Sequence, residues 1–237
     1  VIHLGAEDVA SWQRQILLLE SQGRVTRTFR RLDPHRQLAV IEAVFAEATA
    51  DGPHSLQIKR VADRAGVSVG SLYQYFPDRE GMLDFAVEVT ARFLTEALDG
   101  VVPLMAQLPL REGLTAFLSG GVEWSESYAG LLGFFGRSAY AGIPGYAETL
   151  VRPIARSMQA MLRALLEGAA ARGELRPDLD VEVATRLVLT LCVAVGDAEL
   201  LPHLNDYFQL FDAAHTPPRI REATVDLILR AIGAETS

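Results

Sequence analysis

Between Gly66 and Pro77 lies a run of nine residues, Ser68-Val69-Gly70-Ser71-Leu72-Tyr73-Gln74-Tyr75-Phe76, with no charge but two serines, two tyrosines and a glutamine. Hydroxyls and an amide packed this densely suit hydrogen bonding to phosphate oxygens and to the edges of bases. A helix starting at Ser68 would present unpaired backbone N–H groups and a positive dipole end to a phosphate, with the Ser68 and Ser71 hydroxyls beside them. Gly70 removes a side chain, so the backbone can approach its partner closely. Gln74 can make a bidentate contact to adenine, and Val69 an apolar contact with a thymine methyl. Tyr73 and Tyr75 read in two ways. Either their hydroxyls reach phosphates while their rings pack on neighbouring helices, or both are mainly core aromatics.

No rival chemistry is organised this well. The chain has no glycine-rich phosphate loop, no His-Glu-x-x-His pair and no nucleophile elbow, and no histidine or carboxylate cluster falls in its first third. We therefore expect no catalytic residue, no cofactor and no enzyme. His203, Asp206, Asp212 and His215 are either solvated loop residues or ligands of a metal; the second reading would make the protein a metal-responsive regulator. Cys192, the only cysteine, sits in the apolar run 187–195 and reads as a small buried hydrophobe.

The elements that must position these groups are helical, because apolar residues recur at spacings of three and four almost throughout. Asp33 caps and Pro34 opens a first firm helix, which ends at Asp51-Gly52-Pro53. A short second helix spans about 56–65, Gly66 takes the turn, and Ser68 caps the third. Three short helices with a glycine turn between the last two have the layout of a helix-turn-helix. Asp78 caps a fourth helix running toward Leu98, and 101–109 reads as a joint. Further helices are expected near 111–128, 131–140, 145–172, 179–200 and 218–232. Residues 1–32 are the least legible, and Arg24, Arg27, Arg30 and Arg31 look like a solvated or DNA-seeking arm.

Composition bounds the answer further. The 237 residues are 49% hydrophobic and 22% charged, an ordinary globular balance. No apolar run approaches the roughly 20 residues that span a bilayer, and residues 1–5 lack the marks of a signal peptide, so a cytoplasmic protein with no membrane partner is expected. The net charge of −8 is polarised: residues 24–80 hold nine basic and seven acidic side chains, and the rest of the chain is strongly acidic. A mildly basic head on an acidic body suits a protein that offers one face to nucleic acid.

The stretch Gln57-Ile58-Lys59-Arg60-Val61-Ala62-Asp63-Arg64-Ala65-Gly66-Val67-Ser68-Val69-Gly70-Ser71-Leu72-Tyr73-Gln74-Tyr75-Phe76-Pro77-Asp78-Arg79-Glu80 resembles the DNA-binding signature of the tetracycline-repressor (TetR) family. The likeness covers about residues 33–93. It implies an all-α fold of about nine helices, with a helix-turn-helix domain at 33–80, an extension at 1–32 and a ligand-binding and dimerisation domain at 81–237. It also implies a homodimer on double-stranded operator DNA. Ser71, Tyr73 and Tyr75 fall where the family commonly touches the DNA backbone, and Arg79 where it often has a phosphate-binding lysine. Val69 stands where a lysine is frequent and Gln74 where a histidine is frequent, so no base preference carries over. Leu56 and Gln57 replace the usual threonines, which moves the expected cap to Ser55. The candidate DNA contacts are Gln57, Lys59, Ser68, Val69, Gly70, Ser71, Tyr73, Gln74, Tyr75 and Arg79.

The remaining chain reads as sensor and dimer interface. The helix at 179–200 is apolar on nearly all sides, which one subunit's core does not explain. With the last helix it would form a four-helix contact between protomers through Leu187, Leu191, Val195, Leu227, Ile228 and Ala231; an ordinary intrachain core is the alternative. Phe117, Trp124, Tyr128, Phe134, Arg137, Tyr140, Met158 and Met161 are the materials of an apolar pocket with few polar groups, suited to a small aromatic or amphipathic effector.

Overall fold

The computed structural model describes residues 6–50, 56–143 and 145–234, with side chains described at 13–48, 56–120, 131–143 and 145–234. These residues form helices α1 (Ala6–Ser21), α2 (Arg27–Arg30), α3 (Pro34–Ala50), α4 (Ile58–Ala65), α5 (Val69–Tyr75), α6 (Arg79–Met105) and α7 (Leu110–Ala141). A π-helical turn (Ala147–Val151) then leads into α8 (Arg152–Ala171), α9 (Val181–Leu200), α10 (Pro202–Phe208) and α11 (Pro217–Ile232). The fold is all-α, and the described residues contain no strand beyond one bridge between Leu175 and Gly233. None of the described helices is long and apolar enough to cross a membrane.

Local chemistry sets many of the boundaries. Asp33 Oδ1 accepts from the N–H of Arg36 at 3.1 Å, Asp78 Oδ1 from Gly81 at 2.7 Å and Asp180 Oδ1 from Val183 at 3.0 Å, each quieting an orphan donor of a first turn. Three boundaries differ from the sequence reading. The joint expected at 101–109 shrinks to the residues after Met105, because α6 continues through Pro103. The helices expected at 111–128 and 131–140 are one helix, α7, and the connection after Leu200 holds α10.

The N-terminal segment also departs from an arm. Ile16, Leu19, Val25 and Phe29 are buried, so residues 13–32 belong to a core. Arg24 pairs with Asp84 and Arg30 with Glu20, which neutralises half of the arginine series.

The chain divides into two compact units, one built from residues up to 92 with 127–151, the other from 93–126 with 152 onward. In the first unit, Phe45 packs edge-on to Phe134 with centroids 5.8 Å apart, and Phe29, Phe76 and Phe85 form a second aromatic group. In the second unit, Leu114, Leu162, Leu165, Leu166, Val195 and Ile228 lie at the centre of one core. Cys192 is buried there, and burial pushes its thiol up to about 12.

The α6–α7 connection is held by the end of α8. Arg172 donates to the carbonyls of Ala106 and Leu108, while Glu174 Oε2 accepts from Leu110 N at 2.7 Å and so caps α7 from a distance. Desolvation works against the Glu174 carboxylate, but the bonds from Arg172 and Leu110 outweigh it and hold the group below its usual value. Gly168 makes this closeness possible, since a Cβ there would stand 2.1 Å from the Ala106 carbonyl oxygen. Gly168→Ala is expected to lower stability by about 2–3 kcal/mol, although alanine favours a helix by about 1 kcal/mol over glycine. A urea titration reads this as a lower midpoint at constant slope. A neutral result would mean that the connection yields freely.

Candidate nucleic-acid interface

Helices α4 and α5 meet across a turn that Gly66 makes in the left-handed region, at φ 65° and ψ 32°, where a Cβ would be strained. Ser68 then caps α5, its Oγ accepting from Ser71 N at 3.0 Å and lying 2.8 Å from Ser71 Oγ. Inward from this pair face Val61, Ala62, Leu72 and Phe76, all buried. Outward face Ser68, Val69, Gly70, Tyr73 and Gln74, all exposed, while Ser71 is half-buried. The two tyrosines therefore part company. Tyr73 is 54% exposed, whereas Tyr75 is 8% exposed and tilts its ring against Phe29 at 5.8 Å.

The frame behind this surface is ionic as well as apolar. Glu47 of α3 is only 1% exposed and pairs with Arg60 at 3.3 Å and Arg64 at 3.5 Å, both on α4. A carboxylate so buried is tolerated only when paired, so the two arginines tie α4 to α3. Gln57 precedes α4 without a side-chain cap, and Gln57 and Lys59 are exposed. The expected cap, Ser55, lies outside the described residues. Arg79 is half-buried, and its Nε donates to the carbonyl of Leu56 at 2.8 Å, so part of that guanidinium braces α4 rather than facing solvent. Nearby, burial raises the pKa of Tyr146, with the Asp84 carboxylate adding to the shift and the Arg79 charge opposing it.

Sequence reasoning missed Thr26. Its backbone N–H donates to the carbonyl of Tyr75 at 2.9 Å and its hydroxyl to that of Gln74, so it satisfies two orphan acceptors at the end of α5. The same residue caps α2, with its Oγ1 accepting from Phe29 N. Gln37, fully buried on α3, donates to the carbonyls of Phe29 and Arg30 and closes α2 from the other end. The capping role has a local signal in a hydroxyl before a helical turn. The contact across 48 residues has none.

The pocket candidates do not gather in one unit. Phe134, Arg137 and Tyr140 belong to the first, where Phe134 is fully buried against Phe45 and Tyr140 is exposed. Phe117, Met158 and Met161 belong to the second, where Met161 is part of the core and Phe117 packs against it. The side chains of Trp124 and Tyr128 lie outside the described residues. Of the six interface candidates, Leu187 and Leu227 are 66% and 59% exposed, Ala231 is exposed and Leu191 half-buried. Val195 and Ile228 are corrected: at 2% and 3% exposure they fill their own unit's core and have no surface to offer a partner. His215 and Asp212 bond to each other, and the described residues contain no group of three or more potential metal ligands.

A family model described as bacterial regulatory proteins, tetR family, matches residues 40–85, the stretch that holds α4, α5 and the start of α6. The HTH-type transcriptional regulator BetI of Yersinia pestis (strain Pestoides F) is 32% identical over 95 residues, which are 40% of this chain and 48% of BetI. The chain thus spans about half the length of the curated relatives it first matches. Among solved structures, a TetR family transcriptional regulator from Chloroflexus aurantiacus J-10-FL aligns with TM-score 0.61 at 23% identity, over 89% of this chain and 99% of that one. FadR from Bacillus subtilis, in complex with stearoyl-CoA, aligns with TM-score 0.61 at 16% identity, over 81% and 97% of the two chains. At these identities the structural likenesses speak to the fold.

Proposed function

We infer that this chain belongs to the tetR family of bacterial regulatory proteins and that it represses transcription as a homodimer on a near-palindromic operator, released by a small apolar or aromatic effector. The observation that carries the reading is the split of α5 into two faces. Leu72, Tyr75 and Phe76 hold it from behind, which leaves Val69, Gly70, Tyr73 and Gln74 free to enter a major groove. Tyr73 serves the phosphates and Gln74 a base edge. Tyr75 acts mainly as the ring that seats the helix.

Dimerisation is assigned to α9 and α11. Val183 and Leu187 on one, and Leu227 with Ala231 on the other, are apolar and exposed at helical spacing, a pattern that asks for a second copy. The effector reading is supported by FadR, a fold neighbour in complex with stearoyl-CoA. An effector acts here as a population shift: it favours a spacing of the two α5 helices that no longer fits successive grooves, and operator DNA weakens effector binding by the same factor.

The test is enrichment of duplexes from a randomised library, followed by anisotropy titrations. The protein is expected to enrich paired half-sites with centres about 34–36 Å apart, or a multiple. Tyr73→Ala should weaken all duplexes alike, and Gln74→Ala should relax the preference at one position per half-site by about 1–3 kcal/mol. Failure to enrich any duplex would remove the DNA reading.

A further inference from the structure

Four arginines precede α3, and the fold treats them unequally. Arg24 is consumed by Asp84 and Arg30 by Glu20. Arg27 and Arg31 are exposed, and neither is paired with a carboxylate among the described residues. They stand four apart on a helical turn, with Arg31 still in the right-handed helical region, so both side chains leave from one face.

The position of that turn gives the pair its meaning. Thr26, the residue just before Arg27, is hydrogen-bonded through its hydroxyl to the carbonyl of Gln74 and through its N–H to that of Tyr75. Arg27 therefore begins one residue away from an anchor on the last turn of α5, beside the exposed face that holds Tyr73 and Gln74. The mounting is rigid. Phe29 is fully buried, with its ring 5.8 Å from Tyr75, 5.5 Å from Phe76 and 5.7 Å from Phe85, and the buried Gln37 fixes the carbonyls of Phe29 and Arg30. On a chain of net charge −8, two uncompensated guanidinium groups next to a polar outward helix mark where a polyanion approaches.

We infer that α2 and its C-cap carry an accessory DNA-backbone site, in which Arg27 and Arg31 bind phosphates beside the base edges met by α5. This inference rests on the DNA reading above. It enlarges the interface beyond residues 40–85, because neither arginine lies in the matched family segment. Phosphate contacts of this kind add affinity and register but no sequence preference. Fork-shaped guanidinium groups suit phosphate oxygens better than a single ammonium would.

The probe is the duplex that the wild-type protein enriches from the random library, titrated by anisotropy between 50 and 200 mM KCl. Arg27→Ala with Arg31→Ala is expected to flatten the plot of log affinity against log salt by about 0.9 for each phosphate lost, or about 1.8 per subunit. The fourfold rise in salt then costs the wild type about tenfold more affinity per subunit than the variant. Base preference stays unchanged, and Arg27→Lys with Arg31→Lys keeps the slope. Both side chains are exposed and have no carboxylate partner among the described residues, so melting curves should coincide. An unchanged slope in the double alanine variant overturns the inference, and so does a weaker affinity with the same slope. A slope change restricted to an acidic protein partner in place of duplex DNA would also overturn it. A wild-type protein that enriches no duplex overturns the DNA reading itself, and the two failures are distinguishable.

Discussion

Phe29→Ala is expected to remove about 3–5 kcal/mol of stability, the range for deleting a fully buried aromatic ring. Set against a total of about 5–15 kcal/mol for an ordinary domain, that is a large share. The ring touches Tyr75 and Phe76 at the end of α5 and Phe85 on α6, and such aromatic pairs add about 0.5–1.5 kcal/mol beyond buried area. Its loss leaves a cavity where three elements converge, so the seat of α5 loosens along with the fold. Denaturant titration should show a lower midpoint. At a temperature where the variant is still folded, duplex affinity should fall as well. Phe29→Leu fills most of the space and should recover most of both. A stability loss below about 1 kcal/mol would show that residues 13–32 do not pack as described, and the arginine site mounted on them would lose its scaffold.

Leu187→Glu should have its largest effect on assembly instead. Leu187 is 66% exposed in the isolated chain and Leu227 59%, so neither contributes much to its own core. In a symmetric four-helix contact each leucine is buried twice. A carboxylate placed there without a partner costs on the order of 3–5 kcal/mol, which raises the dimer Kd a hundredfold to a thousandfold or more. Sedimentation should then report monomers at micromolar concentration, with circular dichroism unchanged. Operator affinity should collapse too, since one half-site alone holds the protein weakly. Leu104→Glu, at a leucine 57% exposed on α6, is the control that should leave the dimer intact. A Leu187→Glu protein that remains dimeric would move the interface away from α9 and α11.

Features written in adjacent residues were the legible ones. Asp33, Ser68, Asp78 and Gly66 announce helix ends through chemistry that acts over three or four positions, and the structure uses each of them in that way. Contacts across the chain left no such trace. Nothing near Phe29 says that it will meet rings 46 to 56 residues away, so an arginine-rich stretch reads as solvent-facing when half of its charge is spent internally. The same limit explains the errors on α9 and α11. Both helices carry apolar residues around much of their circumference, and one step along a helix turns a side chain by about 100°. Periodicity does not distinguish the face a chain buries in itself from the face it leaves for a copy, so Ile228 and its neighbour Leu227 read alike although one points in and the other out. Tyr75 shows the complementary case. Its place in the motif matched, but its ring serves the seat of α5.

The burial of Cys192 has a practical corollary. With its thiol pushed up by burial to about 12, nearly all of it stays protonated at pH 8, and packing shields the sulfur as well. Because it is the sole cysteine, the native chain is expected to behave toward maleimides as though it had none. A single new cysteine at an outward position can therefore be tagged with a dye or spin label without first deleting the natural one. In the proposed dimer, the distance between two such tags would then report whether a candidate effector changes the separation of the two α5 helices.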